Sequence, residues 1–196
     1  LIGMLIESDK NIAVISGGAN GSMTESKNGR DQGVDQIVGL DKIGNEFIFI
    51  EGNPNDGDDY DNAIIVAHYD DTAVFLNGSN SATVTLTAGQ YYSIEGGQYS
   101  SGGNIYVRTS KNVYAYQSIS NGTHANVDLY FVPPLSCTSL ESIETISDIE
   151  NNAEIEWAEN TFLTIVTTAS ASVTIADYNN TTPTWTGAIT TTGVTI

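Results

Sequence analysis

Oxygen donors crowd one short stretch of this chain. Asn53-Pro54-Asn55-Asp56-Gly57-Asp58-Asp59-Tyr60-Asp61-Asn62 places carboxylates and amides at alternating positions. A flexible loop of that kind can wrap a hard cation such as Ca²⁺, which takes oxygen ligands. Asp56, Asp58 and Asp61 are the ligands this spacing selects. The loop lacks the glycine and distal glutamate placement of the EF-hand. A solvated hairpin tip accounts for the same residues, because Asp, Asn and Gly are ordinary turn chemistry.

A second set to weigh is His68, Asp70, Asp71, His124 and Cys137. Nucleophilic catalysis needs a base in hydrogen-bond reach of the nucleophile and a third group orienting that base. No nucleophile elbow, Gly-rich phosphate loop or zinc spacing accompanies these residues. His68 reads as a polar strand end and Cys137 as a small buried side chain. An enzyme is therefore not expected.

Aromatic residues are the third set. The chain has 10 tyrosines, and Tyr91, Tyr92, Tyr99, Tyr106, Tyr114 and Tyr116 cluster in its middle. Tyr114 and Tyr116 are two apart, so in a strand they share a face. Rings in a row on a sheet can stack on sugars, each offering an apolar face with a polar tip. Tyr106, Tyr114 and Tyr116 are the ligand-binding candidates on this ground, with cross-strand packing as the competing account.

The elements that must position these groups read as strands. Of the 196 residues, 40% are hydrophobic and only 15% charged. The polar surface must come from Ser, Thr, Asn, Gly and Tyr, a mix that suits strands and tight turns. Alternation marks Met4–Ile6, Ile12–Ile15, Val34–Leu40, Glu46–Ile50, Ala63–Ala67, Thr72–Leu76, Thr83–Leu86, Tyr91–Ile94, Asn104–Thr109 and Val113–Gln117. Thr138 to Ala158 fits either a helix with apolar residues every third position or further strands, and strands are preferred. The expected fold is all-β: antiparallel hairpin repeats forming β-sandwich-like modules, with propeller-like blades as the alternative.

A repeat of roughly 100 residues supports hairpin units. Leu5 to Val14 is similar to Tyr106 to Ala115, with the Lys-Asn pair (Lys10-Asn11, Lys111-Asn112) at the same expected turn. Val34 to Leu40 is similar to Val127 to Leu135, and Thr72 to Leu76 to Ala171 to Ile175. Residues 1–126 read as one β module that includes the end of a preceding unit, and 127–196 as the start of a second, truncated one. Both ends lie in strand-like text, which reads as a piece of a longer protein.

Charge narrows the partners. Six basic against 24 acidic side chains give −18. That surface repels phosphate backbones and anionic headgroups, so neither nucleic acid nor a lipid surface is an expected partner. No apolar run is long enough to cross a bilayer as a helix. The single cysteine, Cys137, forms no intrachain disulfide, so packing must supply the stability.

Several of these segments resemble one family in order. They are Ile6 to Val14, Gly29 to Val38, Gly44 to Ile48, Ile65-Val66-Ala67-His68 with Asp71 to Val74, Leu86 to Tyr92, and Phe131 to Cys137. Together they resemble the N-terminal domain family named after the mammalian IgG-Fc-binding mucus protein, found also in very large secreted proteins of Bacteroidota. The family usually has Pro after the hairpin Lys, where this chain has Asn11 and Asn112. The resemblance implies a secreted, surface-displayed β module and carries over no IgG-binding residues. It also gives meaning to Asp71-Thr72-Ala73, which looks like the short O-glycosylation signal of Bacteroidota, with Thr72 as acceptor.

The expectation is thus an extracellular, cell-surface adhesion module that binds a glycan or matrix ligand and adjoins neighbouring modules of the same protein. The alternative is a structural spacer or filament subunit assembling through sheet edges.

Overall fold

One segment organises the chain. Over Asn104–Ser118, Ile105, Val107, Val113 and Ala115 alternate with Tyr106, Arg108, Tyr114 and Tyr116, so one face is apolar and the other aromatic or charged. A computed structural model describes residues 2–21, 31–51, 62–118, 120–121, 124–125, 129–136, 165–167 and 171–174. The chain divides into two units, Leu1–Ser136 with Val194–Ile196, and Cys137–Gly193. Every described strand lies in the first. The described residues of the second, 165–167 and 171–174, are exposed and not in strands.

The strands are β1 (Val14–Gly21), β2 (Asp31–Ile37), β3 (Gly44–Ile50), β4 (Asn62–Ala67), β5 (Thr72–Leu76) and β6 (Val84–Leu86). They continue with β7 (Tyr91–Glu95), β8 (Asn104–Ser118), β9 (Ser120–Asn121), β10 (His124–Ala125) and β11 (Tyr130–Phe131). All pairings are antiparallel. Among the described residues there is no α-helix, only 3-10 turns at Leu40–Lys42 and Gly96–Gln98. The all-β antiparallel expectation holds. The helix-or-strand stretch Thr138 to Ala158 lies outside the described residues.

β8 is shared by two limbs of one sheet. Its first half pairs with β3 on one side and β5 on the other, and β5 pairs onward with β6. Its second half pairs with β4 and β11, and β4 pairs onward with β7. The limbs are stitched at one margin where Leu135 N–H, just beyond β11, donates to Glu46 O of β3 at 2.8 Å. Gly44 of β3 is needed there, since a Cβ would run into the Pro134 ring. The sheet thus curls until its limbs face each other, as in a sandwich nearly closed into a barrel.

The enclosed core draws on both limbs. Phe47, Phe49, Val74, Leu86, Ile105 and Val107 come from one, and Ala63, Ile65, Ala67, Ile94, Val113 and Ala115 from the other. Phe47 and Phe49 stack with ring centroids 6.1 Å apart. Burying such side chains contributes about 1.5–3 kcal/mol each, which supplies the stability that no disulfide provides.

Two expected hairpins do not form. Residues 4–13 are not in strands, and β1 begins only at Val14, pairing with β2. Asn104–Thr109 and Val113–Gln117 do not fold back on each other across Ser110-Lys111-Asn112. They are one strand with a bulge, where Glu46 pairs with Arg108 and Gly44 with Val113. Each half finds partners on both sides in other strands, which a local hairpin would have excluded. At these two positions the likeness of sequence is not a likeness of backbone.

A tyrosine-bearing outer face

The outer face of the second limb follows from register. Val66 of β4 lies opposite Tyr91 of β7 and opposite Tyr114 of β8. Residues directly opposite in antiparallel strands point the same way. Tyr91, Val66 and Tyr114 therefore form one transverse row. The next row is Ser93, Ile64, Tyr116 and Phe131.

The two rows differ in cover. Ile64 and Tyr116 are buried. Tyr116 stacks on Tyr114 at 6.5 Å with planes 10° apart, and meets Phe131 edge-on at 5.9 Å. Its hydroxyl is pushed up to about 12, by burial first, then by the Asp35 carboxylate of β2 and by Tyr114. Tyr91 is 51% exposed, while Val66 and Tyr114 are half-buried. The open end of the face is thus the Tyr91–Val66–Tyr114 row.

Tyr69 follows β4 and is 47% exposed. His68 meets its ring edge-on at 4.6 Å. Thr72 Oγ1 donates to its carbonyl at 2.6 Å. Burial raises the Tyr114 hydroxyl above its ordinary value, with Asp41 and Tyr69 adding to the rise. Asp41 pairs with Lys42 at 2.9 Å, which holds its carboxyl below the usual range.

The sequence-selected residues fall in different places. Tyr114 and Tyr116 come together, but Tyr116 lies beneath the open row and its ring is occupied by packing. Tyr106 is on the first limb, buried beside Glu46 and opposite Ile48. Arg108 on that limb caps the Phe75 ring at 4.1 Å. Thr72 is fully buried and its hydroxyl is engaged with Tyr69 O, so this fold leaves no room for a glycan there. Asp56, Asp58 and Asp61 lie outside the described residues, as do Cys137 and the side chain of His124. Among the described residues no group of three or more His, Cys, Asp or Glu is placed to hold a metal. The spacing argument missed the Tyr91–Tyr114 row. Recognising Tyr91 required the β4 register, which no local pattern encodes.

This architecture defines an all-β antiparallel module that presents aromatic groups on one face of its sheet. A family model described as IgGFc binding protein matches residues 1–195, and the chain belongs to that family. No curated protein and no solved structure gives a significant match. Membership points to an extracellular binding module. No helix of the described residues is long and apolar enough to cross a membrane.

Proposed function

We propose that this chain is an adhesion module of a large secreted protein displayed at the cell surface, acting by binding rather than catalysis. Its ligand is a glycan or a matrix surface. The observation that carries this reading is the open row: Tyr91, Val66 and Tyr114 side by side. Aromatic rings held by a sheet present contact area at little further ordering cost. The family's extracellular binding character supports the same reading. The test is binding to immobilised glycans and matrix proteins. Tyr114→Ala should weaken binding about tenfold, the scale of one aromatic contact. Undiminished binding by that variant would remove this face from the function.

One observation favours a spacer or filament role. Among the described residues β1 and β2 pair only with each other. Ile15 (72% exposed) and Val34 (67%) are diagonal neighbours on one face of that pair. A two-stranded ribbon with exposed β-branched residues on one face can act as a template for another strand. This reading predicts concentration-dependent light scattering that Ile15→Lys suppresses. A strictly monomeric chain counts against it.

A further inference from the structure

We infer that residues 5–16 of one chain pair, as an antiparallel strand, with residues 165–167 and 171–174 of a second copy, so that copies join head to tail. This rests on the filament reading above and names the two segments that meet.

Register shows what residues 5–16 are. Continuing the likeness of Leu5–Val14 to Tyr106–Ala115 sets Ile15 and Ser16 against Tyr116 and Gln117. Counting back from Leu40 and Leu135 sets Gln36 and Asp35 against Phe131 and Tyr130. In the ribbon, Ile15 lies opposite Gln36 and Ser16 opposite Asp35. In the large sheet, Tyr116 lies opposite Phe131 and Gln117 opposite Tyr130. The two registers are the same. A slip of one residue would have turned every side chain over, so β1 and β2 are a second copy of the β8–β11 pair. They differ in their other partners. The opposite edge of β8 carries β4 and β5. Among the described residues nothing pairs with that edge of β1, and residues 5–13 form no strand. Ile6 and Ile12 are each 54% exposed, although their counterparts Val107 and Val113 are fully buried.

The fitting partners are written further along the chain. Ala171 to Ile175 is similar to Thr72 to Leu76, and the same offset sets Ile165-Val166-Thr167 against Val66-Ala67-His68. These residues are the counterparts of β5 and of the end of β4. Val166 and Val173 are exposed, whereas their counterparts Ala67 and Val74 are buried. Ala67 lies opposite Val113 and Val74 opposite Thr109. The same register sets Val166 opposite Ile12 and Val173 opposite Ser8 when two copies meet. Apolar side chains exposed on both segments then cover each other, and the added strand gains main-chain hydrogen bonds. Charge permits the approach. Residues 161–176 carry no charged side chain, within a chain of net charge −18, so this stretch adds no like charge to the contact. The two surfaces differ, so one copy engages a partner at each of them.

The test is sedimentation velocity of the full chain over a concentration series at about 0.15 M salt. Wild type should associate as concentration rises. Ile12→Asp and Val173→Asp should each weaken association at least about tenfold, because each puts a charge where a core side chain belongs. Both positions are exposed in the single chain, so both variants should keep the wild-type urea midpoint at low concentration. An equimolar mixture of the two should recover dimers and nothing larger, since each variant brings the surface that the other lacks. Loss of association in one variant alone overturns the pairing of these two segments and leaves the filament reading standing. Loss in both with no recovery in the mixture, or association unchanged in both, overturns the head-to-tail contact in the same way. A wild type that is monomeric at every concentration overturns this contact and the filament reading together.

Discussion

Tyr114 and Tyr116 are chemically alike and two residues apart, yet one is available to a ligand and the other is structural. The difference is cover: the Phe131 ring of β11 meets Tyr116, whereas Tyr114 stays half-buried beside the exposed Tyr91. Cover has an energetic consequence. A phenol in an unfolded chain ionises near about 10, and Tyr116 is held up to about 12. The folded state favours the protonated form, so its contribution is fully present below about pH 10 and is lost as pH rises towards about 12. Tyr116→Phe removes the ionising hydroxyl and keeps the ring. Its unfolding free energy in urea should fall less steeply than wild type between about pH 9 and about pH 11. Tyr106 and Tyr114 are also raised, both mainly by burial, so the slope should shrink without vanishing. Identical slopes in the two proteins would show that Tyr116 ionises without resistance. The residue types of the face were readable from the chain, but which ring is buried depends on the pairing of β11 with β8, which brings Phe131 opposite Tyr116.

At the scale of elements, the decisive piece is the bulge that lets β8 serve two limbs. Thr109 is buried within it and donates to the Lys111 carbonyl at 2.8 Å, with a longer contact to Asn45 O at 3.4 Å. Ser110 Oγ accepts from Ala73 N–H at 2.9 Å, and Lys111 Nζ reaches Asp70 O. Side chains thus take over backbone pairing where the ladder is interrupted. Thr109→Val keeps the shape and removes the donor. It should cost about 0.5–1.5 kcal/mol, the net worth of one hydrogen bond, because Lys111 and Asn45 are exposed and their carbonyls can turn to water. The urea midpoint should drop with no change in m. A midpoint within error of wild type would mean that the bulge holds without this bond. The Ser110-Lys111-Asn112 stretch reads locally as a turn because its residues are turn formers. Tertiary pairing overrides that preference. β5 shows the opposite case, read from sequence with both ends in place at Thr72 and Leu76. There the flanking Asp71 and Asn77 have positive φ, 51° and 49°, so the chain itself marks where the strand stops.

For the molecule as a whole, alternation was enough to specify an all-β antiparallel fold. Closure was not readable, because it rests on long-range approaches, among them Leu135 to Glu46 and the Gln117 amide to the Ile50 carbonyl, and on the space that Gly44 leaves for Pro134. The property that acts on the entire chain is its charge. At −18, self-repulsion opposes the compact state, and added salt screens it over a Debye length of about 10 Å at 0.1 M. The melting temperature should therefore rise with NaCl. Calcium separates general screening from a built site. If Asp56, Asp58 and Asp61 wrap a cation, Ca²⁺ at matched ionic strength should raise the melting temperature beyond NaCl, by mass action on the folded state. Asp58→Asn should cancel that excess and leave the NaCl response intact, since one charge in a net −18 alters screening little. Equal curves for CaCl₂ and NaCl at matched ionic strength would reduce the acidic loop to a solvated turn. A Ca²⁺ excess that survives Asp58→Asn would place the cation on other carboxylates of the chain.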